Sequence, residues 1–553
     1  MSQAASTPAS GRGETVFETV ALHAAARPHA LALSGLPQPG DDANEKTRWT
    51  YAELRDDAER VANGLADLGA GPGESYAIVS DNHATTCLAW LAGTRSGAIP
   101  GIVNSLLRER ELAWIFGNLA PRVVMVDPPH LDLVRAALVT AKLDVPVLLN
   151  RTAPGKTGSS VPSTVGDLLK SLPYMGPLPR PDDPFEITYT SGTTSNPKGV
   201  VLTHAAVLFR ADQQQALFGL DETDAALAAT PLFHQSGSRD TVLLMWRSGG
   251  HVAVMPKFSA SGYWKQAKTA GATYACMVET MTLLLERQTP SEDERSHGIR
   301  RVMGGGAGDL QMRAEQRFGL RFIPGYGMTE CGFPVAVPMT LSNEERQRYR
   351  EWAPQATFAG WPVGDNEVRI VDEQGRDVAE GAQGEIWIRS KGLLREYLRN
   401  PEATAEGLAG GWLHTGDSGL RGPDGSIYFV DRMKDMMRRG GENIASKEIE
   451  GVLLSHPKVL NAVAYPVPDP LWMQEVKVII IPKPGETATA AEFWDWCDQH
   501  LAKYKVPRYV EFRDVLPTAG SGRVQKQALR AEPIAGQGTT FDRTLNGAPV
   551  ASS

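Results

Sequence analysis

The 553-residue sequence has few cysteines and no long apolar run. Its four cysteines are too far apart for a Cys-x-x-Cys site or a disulfide framework, which favours a reducing, cytoplasmic location. The longest purely apolar runs, such as 478–481, are far shorter than the ~18 residues that a membrane-spanning helix needs. No charged segment followed by an apolar one opens the chain, so neither a secretory signal nor a membrane partner is expected.

Basic residues are also in deficit, with 56 Lys and Arg against 64 Asp and Glu and a net charge of −8. Proteins that bind nucleic acid neutralise phosphates with clustered Lys and Arg, so no nucleic-acid partner is expected. Hydrophobic residues make up 42% and charged residues 22%, which is typical of a folded globular protein. At roughly 150 residues per domain, the length predicts three or four structural units.

Strand-like and helix-like segments alternate along most of the chain, which predicts an α/β fold with parallel sheets covered by helices. From 360 to 430 short strand candidates are separated by Gly-rich turns, which predicts a small β subdomain. A helix at 446–455, strands at 459–466 and 475–481, a helix at 490–503 and a strand at 508–512 predict a compact α+β domain. The clearest segments near the start are a helix around 54–68, a strand at 76–79, a helix at 84–95, a strand at 98–103, a helix at 108–119 and a strand at 123–126.

These patterns predict a large N-terminal domain over 1–433 and a small mobile C-terminal domain over 434–535. The N-terminal domain is expected to contain two parallel αβ subdomains, at about 14–183 and 184–359, and the β subdomain at 360–433. Residues 1–13 and 536–553 are small and polar, and both are expected to be frayed tails.

The first chemical signal is the segment 189–199, Tyr-Thr-Ser-Gly-Thr-Thr-Ser-Asn-Pro-Lys-Gly, which we call the phosphate loop. Its small residues let backbone N–H groups point into one concavity, and its hydroxyls and Lys198 add donors and a positive charge, which suits a polyphosphate. The common nucleoside-triphosphatase loop ends in Gly-Lys-Ser/Thr, whereas here Lys198 precedes Gly199. A polar hairpin turn is the alternative interpretation. The candidate phosphate ligands are Thr190, Ser191, Gly192, Thr193, Thr194 and Lys198.

The phosphate loop resembles that of the adenylate-forming superfamily, which comprises acyl-CoA ligases, luciferases and peptide-synthetase adenylation domains. The superfamily usually has Gly where this chain has Ser195. Segments 325–330 (Gly-Tyr-Gly-Met-Thr-Glu), 411–417 (Gly-Trp-Leu-His-Thr-Gly-Asp) and 431–443 resemble three further motifs of the superfamily, in the same order. The chain resembles in particular the crotonobetaine/carnitine-CoA ligase-like acyl-CoA ligases, which also carry Thr-Thr-Ser in the loop.

The resemblance implies ATP or AMP in an acyl-adenylate, Mg²⁺ and coenzyme A as cofactors. Thr329 would donate to the α-phosphate, and Glu330 would be the metal ligand, since a carboxylate is a hard oxygen donor. Asp417 would accept hydrogen bonds from both ribose hydroxyls. The other residues implied for the nucleotide, the hinge and the glycine loop that meets CoA are Tyr326, Gly327, Met328, Arg432, Lys434, Gly440, Gly441 and Asn443.

Two segments are candidates for the acyl site. Pro231-Leu232-Phe233-His234 lies where the superfamily places a gate, so that His234 is either a gate beside the adenylate or a packed polar residue. Peptide-synthetase domains carry an Asp near this point for the substrate ammonium, and the absence of an acid before Asp240 disfavours an amino-acid substrate. The second segment contains Gly304, Gly305 and Gly306. Glycine lets a ligand approach the backbone, so the run predicts a roomy acyl pocket, or else a flexible loop without consequence for the pocket.

The last motif departs from the superfamily, whose members end in Ser/Thr/Asn-Gly-Lys. This chain has Arg523 at the position of that lysine, which bridges substrate carboxylate and nucleotide during adenylation. A guanidinium is a wider, planar fork and does not replace an ammonium at a tight site. Losing one well-placed electrostatic donor costs on the order of 10²–10³ in rate. Lys526 matches a second basic position on the helix side, so both Arg523 and Lys526 are catalytic candidates.

The substitution predicts weak or absent adenylation, because an anionic carboxylate must attack an anionic phosphate in that step. Attack of the CoA thiolate on the acyl-adenylate needs no such bridge and should be retained. A separate adenylating enzyme would then supply the acyl-adenylate as a partner. Two alternatives stay open, a complete ATP-dependent acid–CoA ligase and a non-catalytic binding protein. The acceptor is either free CoA or the phosphopantetheine of a carrier protein.

Overall fold

The computed structural model describes residues 13–37, 46–151, 163–190, 197–306, 308–354, 356–433, 436–439, 442–469, 472–501, 503–518, 524–545 and 547–550. Within these ranges the chain forms an α/β fold with a large N-terminal domain and a smaller C-terminal domain, as predicted. Each helix in the described ranges is either too short or too polar to cross a bilayer.

The strands of the described residues form five sheets. They are β1 Leu31–Gly35, β2 Arg48–Thr50, β3 Ser75–Val79, β4 Ile99–Val103, β5 Val124–Val126, β6 Val147–Leu149, β7 Pro184–Thr190, β8 Lys198–Thr203, β9 Ala225–Ala228, β10 His251–Val254, β11 Tyr274–Met277, β12 Arg301–Gly304, β13 Arg321–Ile323, β14 Gly325–Met328, β15 Gly332–Ala336, β16 Thr357–Pro362, β17 Glu367–Val371, β18 Gly384–Arg389, β19 Glu396–Tyr397, β20 Leu413–Arg421, β21 Ile427–Arg432, β22 Met437–Arg439, β23 Glu442–Ile444, β24 Val459–Asp469, β25 Met473–Pro482, β26 Tyr509–Phe512, β27 Thr539–Asp542 and β28 Ala548–Pro549.

The helices cover the sheets and connect their strands. They are α1 Val16–Ala26, α2 Tyr51–Asp67, α3 Ala84–Ser96, α4 Glu109–Leu119, α5 Leu131–Ala141, α6 Val165–Leu168, α7 His204–Phe218, α8 Gln235–Gly237, α9 Leu244–Ser248, α10 Tyr263–Thr269, α11 Glu279–Glu286, α12 Asp293–Ser296, α13 Gly308–Phe318, α14 Asn343–Trp352, α15 Pro401–Gly407, α16 Ser446–Leu454, α17 Ala490–His500 and α18 Lys526–Arg530.

Local sequence signals explain where several helices begin and end. Capping boxes begin α1 at Thr15, α2 at Thr50 and α14 at Ser342, where a side-chain oxygen accepts from one N–H of the first turn and a glutamate three residues later bonds back. Gly97 ends α3 in the left-handed conformation, which glycine adopts without a steric penalty. The predicted bounds of α2, α3 and α4 lie within a few residues of the observed ones.

Two sheets of the N-terminal domain are parallel or nearly so. One contains β4, β3, β5 and β6 in that order, with all neighbours parallel. The other contains β13, β12, β11, β9, β10, β1 and β2, and its only antiparallel pairing in the described residues is that of β1 with β2. Because β1 lies before residue 183 and pairs with β10 after it, a boundary at 183 would divide this sheet, and the predicted division there is corrected.

The remaining sheets of the N-terminal domain are antiparallel. β14, β15, β16, β21, β20, β18 and β17 form one sheet, which contains the predicted β subdomain but begins before residue 360. β7 and β8 form a hairpin to which β19 adds a third strand. This small sheet holds the two ends of the phosphate loop.

The C-terminal sheet has the order β23, β22, β25, β26, β27 and β28, with β24 also paired to β25. Its helices α16 and α17 and strands β24, β25 and β26 lie where the sequence predicts them. The predicted tail at 536–553 is corrected for its described residues, because β27 pairs antiparallel with β26 and β28 pairs with β27. A four-residue strand beside glycines is too short to show a clear alternation in sequence.

Candidate active site

The hairpin of β7 and β8 presents the two ends of the phosphate loop. Thr190 and Lys198 are register partners, and the Thr190 hydroxyl donates to the Lys198 carbonyl at 3.4 Å. Four predicted phosphate ligands, Ser191, Gly192, Thr193 and Thr194, lie outside the described residues. The structure therefore fixes the ends of the loop, with Lys198 at the start of β8.

Lys198, Tyr397 and Glu330 form a chain of contacts beside the phosphate loop. The Lys198 ammonium lies 4.9 Å from the centre of the Tyr397 ring. The Tyr397 hydroxyl donates to Glu330 Oε1 at 3.0 Å, and Glu330 is only 6% exposed. Burial raises the pKa of Glu330 above its ordinary value, against the lowering effect of this hydrogen bond. The site thus retains a buried carboxylate held by a neutral donor and near a cation.

The chemistry of Glu330 fits a divalent cation, with the nucleotide supplying the other ligands. A carboxylate oxygen suits Mg²⁺, which is usually held by one or two carboxylates together with substrate phosphates. In the described part of the chain no three His, Cys, Asp or Glu side chains converge as a metal site. A magnesium ion here would therefore depend on phosphate oxygens as well as on Glu330.

Arg210 on α7 fixes the backbone that carries Thr329 and Glu330. Its guanidinium donates to the carbonyls of Thr329 at 3.1 Å, Glu330 at 2.9 Å and Gly392 at 2.6 Å. The side chain is buried, and burial lowers its pKa to about 10, so it keeps its charge at neutral pH. The guanidinium thereby ties the segment of Thr329 and Glu330 to the turn that precedes β19.

The predicted nucleotide residues Tyr326, Asp417 and Arg432 lie together. The Tyr326 hydroxyl donates to Asp417 Oδ2 at 2.7 Å, and the Tyr326 ring stacks on Phe429 with centroids 5.7 Å apart. Arg432 and Asp417 are register partners of β21 and β20, with Nε and Oδ1 3.8 Å apart. Gly327 is required by packing, because a Cβ there would lie 1.9 Å from the Gly332 carbonyl oxygen.

His234 lies directly before α8 and is mostly buried. Its ring packs against Phe233 with centroids 4.7 Å apart, and its Nε2 has no hydrogen-bond partner among the described residues. Burial lowers its pKa to about 4, so the imidazole is neutral at neutral pH. Asn82 holds this segment in place, since it donates to the Thr230 carbonyl at 2.9 Å and accepts from the Leu232 N–H at 2.9 Å.

The glycine run serves packing at two of its three positions. Gly304, Gly305 and Gly306 all have positive φ, of 79°, 81° and 106°. A Cβ on Gly304 would lie 2.6 Å from the Met277 carbonyl oxygen, and a Cβ on Gly305 would lie 2.0 Å from Phe322 Cε1. The space beside these glycines is therefore occupied by protein atoms, and the inference from the run to a roomy pocket is corrected at 304 and 305.

The side chain of Lys526 contacts other residues of the C-terminal domain. Its ammonium lies 2.8 Å from Glu450 Oε1 and also donates to the Ser446 hydroxyl. Ser446 in turn donates from its backbone N–H and its hydroxyl to Asp431 Oδ2, at 2.8 and 2.6 Å. Asp431 lies in β21, at the end of the N-terminal domain, whereas Ser446, Glu450 and Lys526 belong to the C-terminal domain. This chain of polar contacts therefore connects the two domains.

A cleft of about 2270 Å³ separates the domains on this side. Its walls include Phe429 and Arg432 from the N-terminal domain and Lys526 from the C-terminal domain, so the cleft opens beside the predicted nucleotide residues. Lys434, Gly440, Gly441 and Arg523 lie outside the described residues. Asn443 is described by its backbone alone, which pairs with Arg438 in the β22–β23 hairpin, and Met328 ends β14.

Sequence reasoning missed Tyr397, Arg210 and Asn82. Tyr397 lies 67 residues from the glutamate that it contacts, and Asn82 lies 148 residues from Thr230. No spacing rule links such positions, and each residue type is common in sheets or loops. Only Arg210 carried a signal, since a charged residue among the apolar positions of α7 predicts a buried partner.

The β7–β8 hairpin, the buried carboxylate of Glu330 and the Tyr326–Asp417 pair lie in a chain of two domains whose family the comparisons identify. A family model described as "AMP-binding enzyme" matches residues 20–398, and one described as "AMP-binding enzyme C-terminal domain" matches residues 448–523. The chain belongs to the AMP-binding enzyme family.

Related proteins and solved structures specify the activity. The chain is 32% identical to a crotonobetaine/carnitine–CoA ligase of Salmonella arizonae over 88% of this chain and 94% of that protein. It is 33% identical to one of Citrobacter koseri over 87% and 93%. ATP-bound MatB from Rhodopseudomonas palustris is similar in structure, with a TM-score of 0.81, 25% identity and coverage of 94% and 98%. AMP-bound O-succinylbenzoate coenzyme A synthetase from Bacillus subtilis has a TM-score of 0.78, 26% identity and coverage of 93% and 98%. The protein is an acyl-CoA ligase that acts through an acyl-adenylate.

Proposed function

We propose that this acyl-CoA ligase carries out both half-reactions, and that Arg523 makes adenylation the slow one. In the first half-reaction a carboxylate oxygen of the acid attacks the α-phosphorus of ATP and expels pyrophosphate. In the second, the sulfur of CoA attacks the carbonyl carbon of the acyl-adenylate and expels AMP. The observation that carries the proposal is the set of contacts Lys198–Tyr397–Glu330 and Tyr326–Asp417, which keeps the nucleotide side of the site intact.

Each part of the nucleotide has a candidate partner. Lys198 and the phosphate loop would meet the phosphates, and Thr329 would donate to the α-phosphate. Glu330 would hold Mg²⁺, whose chemistry when bound is to neutralise charge on the phosphate oxygens. Asp417 would accept from the ribose, with Tyr326 fixing its orientation. These roles are proposals that rest on the proximity of the side chains and on the family.

Lys526 supports the assignment of the slow step. Its ammonium is engaged by Glu450 and Ser446, so in this arrangement it does not reach toward the substrate in place of the missing lysine. The match to the C-terminal family model ends at Arg523, which is the residue that we align with the superfamily's lysine. A planar guanidinium has a different reach from an ammonium, which is the reason to expect reduced adenylation.

The substrate is proposed to be a carboxylic acid without an α-ammonium group. Asp240 is the first acid after the gate, and its Oδ1 accepts from Gln214 Nε2 at 2.8 Å in a fully buried position. Its carboxylate is therefore committed to the protein interior. The reaction that we propose is the one named for the crotonobetaine/carnitine–CoA ligases, acyl-CoA formation, without their acyl group.

Paired assays test the proposal. One reaction contains a panel of acids with ATP, Mg²⁺ and CoA, and the other contains the matching synthetic acyl-adenylates with CoA. We expect acyl-CoA in both, with the second at least about 100-fold faster. Arg523→Lys should increase acid-dependent pyrophosphate exchange and leave the second reaction unchanged.

Three other results would each indicate a different function for this protein. Equal rates in the two reactions would identify a complete ligase without a defect. Product only from acyl-adenylate, even with Arg523→Lys, would indicate a partner enzyme that supplies the adenylate. Product in neither reaction would indicate a non-catalytic binding protein.

A further inference from the structure

A buried ion pair between Glu186 and Arg239 lies between the phosphate-loop hairpin and the gate. Glu186 is on β7, four residues before Thr190, and Arg239 is five residues after His234. The two side chains are 2% and 5% exposed, and Arg239 Nη1 donates to Glu186 Oε1. Such a pair removes two charges from water, which is costly unless the arrangement also serves another purpose or is fully hydrogen-bonded.

The carboxylate of the pair is fully engaged. Glu186 Oε1 accepts from Arg239 and from the Thr188 hydroxyl at 3.2 Å, and Oε2 accepts from Trp90 Nε1 at 3.0 Å. Both oxygens therefore already have donors, and one of these donors is a full positive charge. A cation that entered beside Glu186 would find no uncompensated negative charge.

The guanidinium, in contrast, keeps donor capacity. Arg239 Nη1 also donates to Thr188 at 2.8 Å, but Nη2 has only a long contact of 3.5 Å with Gln235 Oε1, and Nε has no hydrogen-bond partner in the described ranges. Burial lowers the pKa of Arg239 to about 10, so it is charged at neutral pH. Unused N–H donors of a charged guanidinium, and no unpaired negative charge, are thus what this pair presents to a ligand.

The local backbone connects the pair to the gate segment. Arg239 lies in a π-helical turn, Ser238–Leu243, which follows α8 directly. Single π-helical turns are frequent at functional sites. Gln235, half-buried and adjacent to His234, is the residue that Arg239 Nη2 contacts. An acyl group that enters beside His234 would therefore meet Gln235 and, behind it, the guanidinium.

We propose that Arg239 is a specificity-determining residue that neutralises Glu186 and so excludes acids carrying a fixed positive charge. The inference rests on the proposed function, since it assumes that the acyl group lies beside His234. The ligand class that follows is an acid whose acyl chain is uncharged or bears hydrogen-bond acceptors. Removing Arg239 should convert the same position into a site for a cation, because Glu186 would then hold an unpaired charge.

A pair of non-hydrolysable ligands tests this without dependence on the adenylation step. In one 5′-O-(N-acylsulfamoyl)adenosine the acyl chain is 5,5-dimethylhexanoyl, and in the other it is 4-(trimethylammonio)butanoyl. The chains have the same shape and differ by one carbon that is replaced by N⁺. By calorimetry, the wild-type protein should bind the uncharged ligand at least about 30-fold more tightly than the charged one.

Two variants separate recognition from folding. Arg239→Ala should tighten binding of the charged ligand at least about 30-fold and reverse the preference. Adding Glu186→Gln to that variant should abolish the gain, because no carboxylate is left. As a matched control, Arg247→Ala removes another buried arginine, held by Asp212 at 2.7 and 2.9 Å, and should leave the preference unchanged within about twofold.

Each outcome is decisive. Wild-type affinities within about threefold of each other would overturn the proposal even if Arg239→Ala did not fold, because that comparison needs no variant. A folded Arg239→Ala with the wild-type preference would also overturn it. Binding of neither ligand by a wild-type protein that forms acyl-CoA in the paired assays would overturn the inference alone, whereas the same result without acyl-CoA in those assays would contradict the proposed function as well. Thermal unfolding of every variant shows which of them are folded.

Discussion

Glu330 in the N-terminal domain and Glu511 in the C-terminal domain are both buried carboxylates, but their partners differ. Glu511 lies 2.6 Å from the Lys477 ammonium and also forms an ion pair with Arg513, and neither Glu511 nor Lys477 is exposed. Glu330 has the neutral Tyr397 hydroxyl as its side-chain donor. Burial alone would raise the pKa of either group. The ion pairs with Arg513 and Lys477 outweigh burial at Glu511 and lower its pKa, whereas the Tyr397 hydrogen bond and the charges of Arg210 and Arg432 do not offset burial at Glu330, whose pKa is raised.

The difference indicates which carboxylate is available for a ligand. A buried charge that is neutralised by the protein contributes to the fold of the domain and has little attraction left for an ion. A buried carboxylate that forms no ion pair is costly for the fold, and such a group is a candidate for binding a cationic ligand. By this criterion Glu186, neutralised by Arg239, resembles Glu511 and not Glu330.

The largest expected effect comes from breaking the neutralised pair. Lys477→Met leaves Glu511 buried beside one cation instead of two, and should lower the free energy of unfolding by about 3–5 kcal/mol. Guanidinium denaturation followed by tryptophan fluorescence measures it. The matched control Lys477→Met with Glu511→Gln removes the unpaired charge, keeps an acceptor for the Gly538 N–H, and should recover most of the loss. A single variant as stable as the wild type would show that the pair does not stabilise the domain.

Glu330→Gln should have the next largest effect, and on activity instead of stability. Glutamine keeps the size of the side chain and can accept from Tyr397, but it offers no charge to a cation, so acid-dependent pyrophosphate exchange should fall about 100-fold. Conversion of synthetic acyl-adenylate to acyl-CoA should change far less. Glu396→Gln, an exposed neighbour on β19, is the matched control and should be neutral. An equal loss in both half-reactions would contradict a role confined to adenylation.

A smaller effect is expected from Tyr397→Phe, which removes the neutral donor. Losing one hydrogen bond to a carboxylate should slow pyrophosphate exchange about fivefold. The hydrogen bond favours the charged form of Glu330, so its removal should raise the pKa of Glu330 further. Activity should then be lost at a higher pH as the solution is acidified, and the acidic limb of the pH–rate profile should move to higher pH. An unmoved limb would mean that Tyr397 does not act through Glu330.

The smallest effect should come from a half-exposed pair. Asp81 and His130 are 3.2 Å apart, and their hydrogen bond lowers the pKa of Asp81 and raises that of His130. The stability they contribute is lost as pH falls through the pKa of Asp81 and as pH rises through that of His130. His130→Asn should therefore cost less than about 1 kcal/mol, with the full cost between roughly pH 4 and 6.5 and a progressively smaller cost below and above that range. Urea denaturation at three pH values measures this, and a constant difference would exclude the ion pair as its cause.

Much of the fold could be predicted because helix and strand periodicity is local. α3 was expected at 84–95 and spans Ala84–Ser96, and β18 lies at Gly384–Arg389 as expected. What periodicity does not contain is the order of strands in a sheet. β1 therefore joins β10, more than 200 residues later, across the predicted boundary at 183.

The residues of the candidate site could likewise be predicted where a local motif carries them, but not where distant segments meet. Tyr326, Asp417 and Arg432 were predicted from motifs, and the structure brings them together. The contact between Glu330 and Tyr397 spans 67 residues and that between Glu186 and Arg239 spans 53, so neither leaves a pattern in the sequence. The glycine run shows the opposite error, since a local signal suggested open space that Phe322 in fact fills beside Gly305.

The pairing of β27 with β26 has a practical consequence for anyone who shortens this protein. A chain cut after residue 535 would uncover the hydrogen-bonding edge of β26, and an unprotected edge strand invites pairing with a second molecule. The cut would also remove one of the two ion-pair partners of Arg508, which lies 3.0 Å from Asp542 and 2.9 Å from Asp469. A preparation truncated at that point should precipitate or self-associate, whereas a chain that ends at 550 keeps its edge covered.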